Sequence, residues 1–285
     1  SDFTGEVLSG LRVSDAAIVL LKAVEGTEVG TEIVWDYTKR NELPAIVVVN
    51  KLDNENASFD KAVASARERF GHDVTIVQFP VNEGFAFDSF VDVLRMKMYK
   101  YQRDGSGKFV ESEIPAELNE KAGALHEELI EKIAETDEPL MNKFFEEGTL
   151  HEQELTLGFR KALQERKIFP VFCTAASLNI GLHQLLDAMI NYVPSPKDRD
   201  PVAAQDLAAK KEVRIAPDPA GQPALFIFKT ISEQHVGELS FFRVYSGTVT
   251  AGMDLTNEST GKQERLGQLF LMKGKERNEI AKIGA

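Results

Sequence analysis

Pro44-Ala-Ile-Val-Val-Val-Asn-Lys-Leu-Asp53 is the stretch of this chain that decides the fold. Its five apolar residues lie between a proline and a polar turn, which is typical of a strand that is covered on both faces in a parallel α/β sheet. Ligands of such sheets bind beyond the carboxyl ends of the strands. The tetrapeptide Asn50-Lys51-Leu52-Asp53 falls at that end. The stretch therefore predicts a buried strand that leads directly into a binding site.

The segments on either side repeat a strand-helix pattern. Residues 7–13 resemble the end of a helix, apolar strands are predicted at 15–21, 45–49, 74–79 and 168–173, and helices at 31–39, 59–70 and 182–192. Alternating strands and helices are typical of a parallel sheet with helices packed on its faces. The fold class predicted for this part of the chain is α/β, with a partial doubly wound sheet.

A long segment, at about residues 83–165, interrupts this pattern and is predicted to form an insertion subdomain. Strands are expected at 90–101 and 108–111, joined by a turn at 103–107. Three helices are expected to follow, from Pro115 to Glu135, from Asp137 to Glu147, and from a capping box at Thr149 and Glu152 to Glu165. Residues 113–165 hold fourteen acidic and five basic residues, a net charge of −9. The insertion is therefore expected to present an acidic surface.

The chain changes character after residue 196. Pro194, Pro196 and Pro201 predict a stiff exit from the α/β domain, which is assigned to residues 1–196. Residues 197–223 are polar and rich in Ala, Pro and Gly, and predict a linker. Residues 224–285 alternate in short strands with glycine turns, as in a small antiparallel β-barrel. The second domain is therefore predicted at 224–285, as an incomplete barrel.

Composition excludes several classes of protein. No apolar run approaches the ~20 residues that a membrane-spanning helix needs, and a net charge of −12 argues against a protein that grips nucleic acid over its whole surface. We expect neither a membrane nor a DNA partner. The single Cys173 fits a reducing, cytoplasmic location, and its apolar neighbours favour an inert buried thiol. The five histidines lack metal-ligand spacing, so no metal site is predicted.

The side chains of the tetrapeptide suit a guanine base. The Asp53 carboxylate can accept hydrogen bonds from the nitrogens at positions 1 and 2 of guanine at the same time. Asn50 can donate to the carbonyl at position 6 and also tie neighbouring loops together, and the aliphatic stem of Lys51 can lie along the base. A different interpretation is a polar turn capped by an aspartate, because a four-residue pattern also arises by chance.

A second turn follows the strand at 168–173 and begins Thr174-Ala-Ala176. The backbone amides of Ala175 and Ala176 are candidates for donors to the same guanine carbonyl. A turn of small residues that only fills space beside Leu178 is the alternative. The candidate guanine-binding residues are therefore Asn50, Lys51, Asp53, Ala175 and Ala176.

With these residues in view, the chain resembles bacterial elongation factor G or a close paralogue. Ser1-Asp-Phe-Thr-Gly-Glu-Val7 is similar to the sequence that follows the Asp-Thr-Pro-Gly-His motif of that family. The motif at 50–53, the insertion, residues 173–181 and Tyr192-Val-Pro-Ser-Pro196 fall in the family's order. The segment Gly237-Glu-Leu-Ser-Phe-Phe-Arg-Val-Tyr-Ser-Gly247 resembles the start of its second domain, and these eleven residues are far more specific than the tetrapeptide.

This resemblance implies that the sheet is of the P-loop GTPase type. It also implies a translational GTPase that couples GTP hydrolysis to the movement of transfer RNA and messenger RNA on the ribosome. The family's phosphate-binding loop, switch I, magnesium ligands and catalytic histidine are expected upstream of Ser1, so no catalytic residue is assigned here. GTP or GDP and Mg²⁺ are expected cofactors of the parent protein, and the Mg²⁺ ligands would lie outside this chain. We expect a fragment that does not hydrolyse GTP by itself, since phosphoryl transfer depends on positioning phosphate groups.

Two departures from the family pattern leave other functions open. Ala175-Ala176 stands where the family usually has Ser-Ala, and Glu233-Gln-His235 where it usually has Asp-Pro. A paralogue that acts in ribosome recycling or ribosomal protection is one alternative. A non-catalytic module that docks on the ribosome is another, and an unrelated doubly wound protein with a chance motif is a third.

The acidic insertion also allows two interpretations. Its charged helices can simply be solvated. They can also form a docking surface for a ribosomal stalk protein, since RNA phosphates would be repelled.

Overall fold

The computed structural model describes residues 3–207, 209–233 and 237–285, with no description of the Glu233 side chain. The chain divides into two compact units, residues 1–194 and 195–285. Gln234 and His235, which belong to one departure from the family pattern, lie outside the described residues, as do Ser1 and Asp2. No helix in the described part of the chain is long and apolar enough to cross a membrane.

The first unit begins with alternating helices and strands. They are α1 (Thr4–Arg12), β1 (Ala17–Lys22), α2 (Val29–Arg40), β2 (Ala45–Asn50), α3 (Phe59–Phe70) and β3 (Val74–Ile76). The insertion and the return to the sheet follow. Their elements are β4 (Gln78–Pro80), β5 (Ser89–Asp92), β6 (Lys97–Tyr101), β7 (Phe109–Ser112), α4 (Asn119–Ala134), α5 (Glu138–Glu147), α6 (Glu152–Gln164), β8 (Phe169–Cys173) and α7 (Leu182–Tyr192).

The central sheet is parallel and has the order β1-β2-β8-β3. Strand β8 therefore returns from the insertion to a place between β2 and β3. The apolar residues of β2 and all residues of β8 are buried, as the unbroken apolar runs predict. Trp35 of α2 stacks on Phe70 at 4.2 Å between ring centroids and meets Phe169 edge-on at 4.7 Å. The prediction of an α/β fold with a parallel sheet is confirmed.

Two predicted strands are wrong, because each contains a break that the sequence does not mark with glycine or proline. The segment 74–79 divides into β3, in the parallel sheet, and β4, which pairs antiparallel with β5. The segment 90–101 is a hairpin of β5 and β6, with Met96 at a φ of 52°. The Arg95 backbone N–H donates to Asp92 Oδ1 at 2.9 Å, so Asp92 stabilises this turn.

The helices of the insertion begin later than predicted. A 3-10 turn at Ala116–Leu118 follows Pro115, and α4 starts only at Asn119. The capping box lies two residues beyond the predicted one, because Glu154 Oε2 accepts from the His151 backbone N–H at 3.0 Å. Leu150 is buried and so belongs to the core rather than to an exposed cap.

The second unit contains short strands. They are β9 (Val202–Asp206), β10 (Lys211–Ile215), β11 (Ala224–Glu233), β12 (Gly237–Ser246), β13 (Thr248–Thr250), β14 (Asp254–Asn257), β15 (Lys262–Arg265), β16 (Leu269–Lys273), β17 (Glu276–Ile280) and β18 (Lys282–Gly284). The pairs β9-β10, β11-β12, β13-β18, β14-β15 and β16-β17 are all antiparallel. Antiparallel strands in this part of the chain are confirmed. The segment predicted as a linker instead contains the β9-β10 hairpin and lies within the second unit.

Candidate functional site

Two turns meet at the carboxyl edge of the parallel sheet. Strands β2 and β8 are neighbours in register, with Val49 opposite Cys173, so they end at the same level. The Thr174 backbone N–H donates to Val49 O at 3.0 Å, and the Leu52 N–H donates to Thr174 O at 3.3 Å. The fold therefore brings the segment 50–53 and the segment 174–177 into direct contact.

Asn50 ties these two turns together. Its Oδ1 accepts from the Ala176 backbone N–H and from Thr174 Oγ1, both at 3.1 Å. Because both partners are donors, the amide oxygen is directed at the second turn and the Nδ2 amine is the atom that can donate to a ligand carbonyl. The sequence predicts that Asn50 both ties neighbouring loops together and donates to the base. The two hydrogen bonds of Oδ1 account for the first of these roles.

The amides of Ala175 and Ala176 are placed differently from the prediction. The sequence assigns both N–H groups to a base carbonyl. In the structure Ala175 N donates to Ile180 O and Ala176 N donates to Asn50 Oδ1, each at 3.1 Å. Both amides therefore stabilise the turn itself, and the Asn50 amine is left as the donor that the geometry favours for a base carbonyl.

Asp53 carries the observation that points most directly to a ligand. Its Oδ2 accepts from Ser177 Oγ at 3.4 Å, whereas its Oδ1 is buried and has no hydrogen-bond partner among the described residues. A buried carboxylate oxygen without a donor is costly, and native proteins rarely leave one unsatisfied. The missing donors match the nitrogens at positions 1 and 2 of guanine. The residues present therefore fit a guanine base.

Lys51 and Leu52 shape the turn between these two side chains. Lys51 is exposed and has a φ of 62°, in the left-handed region that is unusual for a residue with a side chain. Strained backbone of this kind is concentrated at binding sites. Leu52 is fully buried, so it anchors the turn in the core.

Thr174 and Ser177 are functional residues that the sequence reasoning missed. Their hydroxyls donate to Asn50 and Asp53 respectively. The sequence places both in the second turn, but only the backbone of that turn is assigned a role there. Hydroxyl residues on either side of Ala175-Ala176 were the available signal. Cys173, one residue before the turn, is buried, and burial raises the pKa of its thiol well above the ordinary value, as expected for an inert thiol.

Comparison with known families now identifies the first unit. Residues 1–195 match the family model of the elongation factor Tu GTP binding domain. The chain belongs to this family. Residues 222–285 match elongation factor G domain 2. A GTP binding domain followed by this second domain places the chain among translational GTPases of the elongation factor G and Tu kind.

A solved structure shares the fold of this chain. The chain is similar to a protein of Thermus thermophilus whose crystal structure is known, with a TM-score of 0.83 and 29% sequence identity. The similarity covers 100% of this chain and 39% of the Thermus protein. The chain therefore spans about two fifths of the length of that Thermus protein.

Proposed function

We propose that this chain supplies the base-recognition half of the GTP site in an elongation factor G. In this proposal the parent protein couples GTP hydrolysis to translocation of transfer RNA and messenger RNA during elongation, in the cytoplasm. The single observation that carries base recognition is the buried, unpaired Oδ1 of Asp53. The succession of an elongation factor Tu GTP binding domain and an elongation factor G domain 2 supports the translocation role.

Two side chains of the site, Asp53 and Asn50, have matching groups on guanine. Asp53 accepts from the nitrogens at positions 1 and 2, and the Asn50 amine donates to the carbonyl at position 6. Lys51 lies beside the base and covers it with its aliphatic stem. Adenine presents an acceptor at position 1 and an amine at position 6, so it would leave the Asp53 carboxylate unpaired and face the Asn50 amine with another donor.

Substitution of Asp53 by asparagine tests base recognition. Xanthine has a carbonyl where guanine has its 2-amino group, so an amide at position 53 should prefer xanthine. We expect Asp53→Asn to weaken binding of guanosine monophosphate by roughly tenfold or more and to strengthen binding of xanthosine monophosphate, as measured by NMR titration of the 285-residue chain. The matched control is Asp36→Asn, an exposed position on α2. An unchanged preference in Asp53→Asn would reject the assignment.

Hydrolysis is assigned to residues outside this chain. The 285 residues contain no Gly-x-x-x-x-Gly-Lys-Ser/Thr sequence, which in P-loop proteins holds the phosphates and the Mg²⁺ ion. Mg²⁺ would supply charge neutralisation at the phosphates in the parent protein. We expect no release of phosphate from GTP by this chain alone. GTP turnover that copurifies with the chain through successive columns would contradict this expectation.

The proposed partner is the ribosome, with a stalk protein docking on the acidic helices of the insertion. Glu127 and Glu131 lie one turn apart on α4 and are exposed. Glu128 has a different role, because its Oε1 pairs with Arg67 of α3 and with Lys132, both at 3.3 Å. A charge reversal at Glu128 would therefore disturb the attachment of the insertion to α3, and the docking surface is better tested at the other two positions.

Two experiments on the full-length parent test these partners. Restoration of translocation in a translation system depleted of elongation factor G would support the elongation role, whereas activity only in ribosome splitting would favour the recycling paralogue. For the stalk, the double variant Glu127→Lys/Glu131→Lys should lower stalk-dependent stimulation of GTP turnover. The same stimulation in the variant and the original protein would reject docking at α4.

A further inference from the structure

Two consecutive residues at the start of the insertion hold the loop that contains Asp53. The Gly84 backbone N–H donates to Leu52 O at 2.8 Å. Glu83 Oε1 accepts from the Phe59 backbone N–H at 2.6 Å. Leu52 directly precedes Asp53, and Phe59 is the first residue of α3. Glu83 and Gly84 are therefore hydrogen-bonded to the residues at both ends of the segment 53–58.

Each of these contacts has a physical reason. The Phe59 N–H is one of the donors that a helix start leaves without an intrahelical partner, and a carboxylate at that end also interacts favourably with the helix dipole. Gly84 has a φ of 73°, which a residue with a side chain adopts only with strain. A Cβ at Gly84 would have room, 3.6 Å from Asn54 O and Glu55 O, so backbone conformation rather than space calls for glycine here.

The opposite side of the same loop is held by the parallel sheet. Leu52 N donates to Thr174 O at 3.3 Å, and Ser58 N donates to Ala23 O at 2.9 Å. The loop is thus fixed between the sheet edge and the insertion. Leu52, the residue before Asp53, is hydrogen-bonded both to the turn after β8 and to the insertion. The direction of the Asp53 carboxylate therefore depends on both contacts.

We propose that Glu83 is a positioning residue for base recognition. By holding Phe59, and with Gly84 holding Leu52, it keeps the Asp53 carboxylate directed at the 2-amino group of guanine. This inference rests on the proposed guanine-binding function. It adds that the insertion, remote in sequence from the tetrapeptide, takes part in nucleotide selectivity.

The test compares two nucleotides that differ only in one of the two groups assigned to Asp53, the 2-amino group. Guanosine and inosine monophosphates share all atoms except the 2-amino group. We expect the original chain to prefer guanosine monophosphate, and Glu83→Ala to reduce that preference toward equal affinity. Glu83→Gln retains an acceptor oxygen for the Phe59 N–H and should keep most of the preference. The matched control is Glu68→Ala, at an exposed glutamate of α3, the helix that begins at Phe59. This variant should keep the full preference for guanosine monophosphate.

The outcomes separate this inference from the proposed function. No preference in the original chain for guanosine over inosine and adenosine monophosphates would overturn both. A preference that Glu83→Ala retains in full would overturn the positioning role alone. Should Glu83→Ala fail to unfold cooperatively, Glu83→Leu takes its place, because leucine also lacks the acceptor oxygen for the Phe59 N–H. It should reduce the ratio of the two affinities, and an unchanged ratio in that variant would reject the inference.

Discussion

Replacement of Asn50 separates the two functions that its side chain combines. In Asn50→Ala the Ala176 N–H and the Thr174 hydroxyl lose their shared acceptor, Oδ1, at 3.1 Å from each. A typical hydrogen bond contributes about 1 kcal/mol, and a buried group left unpaired costs about 1–3 kcal/mol. Thr174 is only 1% exposed, so its hydroxyl has little access to water. We expect the free energy of unfolding to fall by roughly 2–4 kcal/mol.

Asn50→Asp keeps the acceptor oxygen but removes the amine. It should therefore retain most of the stability and still bind guanosine monophosphate roughly tenfold more weakly, because a carboxylate cannot donate to the base carbonyl. The single tryptophan, Trp35, is buried in the first unit, so its fluorescence during urea unfolding reports on the unit that contains the site. Exposed Asn54→Ala is the control. Equal unfolding midpoints for Asn50→Ala and Asn54→Ala would refute the proposed tie between the two turns.

Two further predictions concern stability. Gly158→Ala would place a Cβ 2.5 Å from Ile133 Cγ2 and 2.9 Å from Leu140 Cδ1. Overpacking of this kind lowers the free energy of unfolding by about 1–3 kcal/mol. This loss should outweigh the ~1 kcal/mol that is gained by replacing a glycine within a helix. Gly123→Ala, with nothing within 4 Å, should instead raise the melting temperature, and opposite signs for the pair in thermal unfolding check both. Burial raises the pKa of Asp92, so the folded state holds its proton more tightly than the unfolded state. The contribution of Asp92 to stability should therefore fall as pH rises above about 4, and Asp92→Asn should lack that contribution when the pH dependence of urea unfolding is compared with that of the original chain.

The elements that the sequence predicts well are those whose periodicity is long and unbroken. Helix α3 was expected at Phe59–Phe70 and is found there, because Phe59, Val63, Ala66 and Phe70 form one buried stripe and Gly71 ends the helix. Strand β2 is likewise recovered, because a run of five apolar residues suits a strand that is buried on both faces.

The errors lie where a turn depends on a tertiary contact. The break between β5 and β6 has neither glycine nor proline, and Asp92 stabilises it from a buried position. The capping box of α6 shifts to His151 and Glu154 because Leu150 packs into the core. The β9-β10 hairpin forms in a segment whose polar composition predicts a linker. Amino-acid composition alone does not indicate which segments pair as strands.

The sequence by itself determined which side chains could recognise guanine, since a strand followed by Asn50, Lys51 and Asp53 specifies both the edge of the sheet and the chemistry of the ligand. Only the tertiary structure decided how these side chains are held. Strand β8 returns beside β2 after more than a hundred residues, and so brings Thr174 and Ser177 to Asn50 and Asp53. Hydrogen bonds between segments so distant along the chain leave no periodic trace in the sequence. They alone show that the Ala175-Ala176 amides serve the turn and that one oxygen of Asp53 has no hydrogen-bond partner among the described residues.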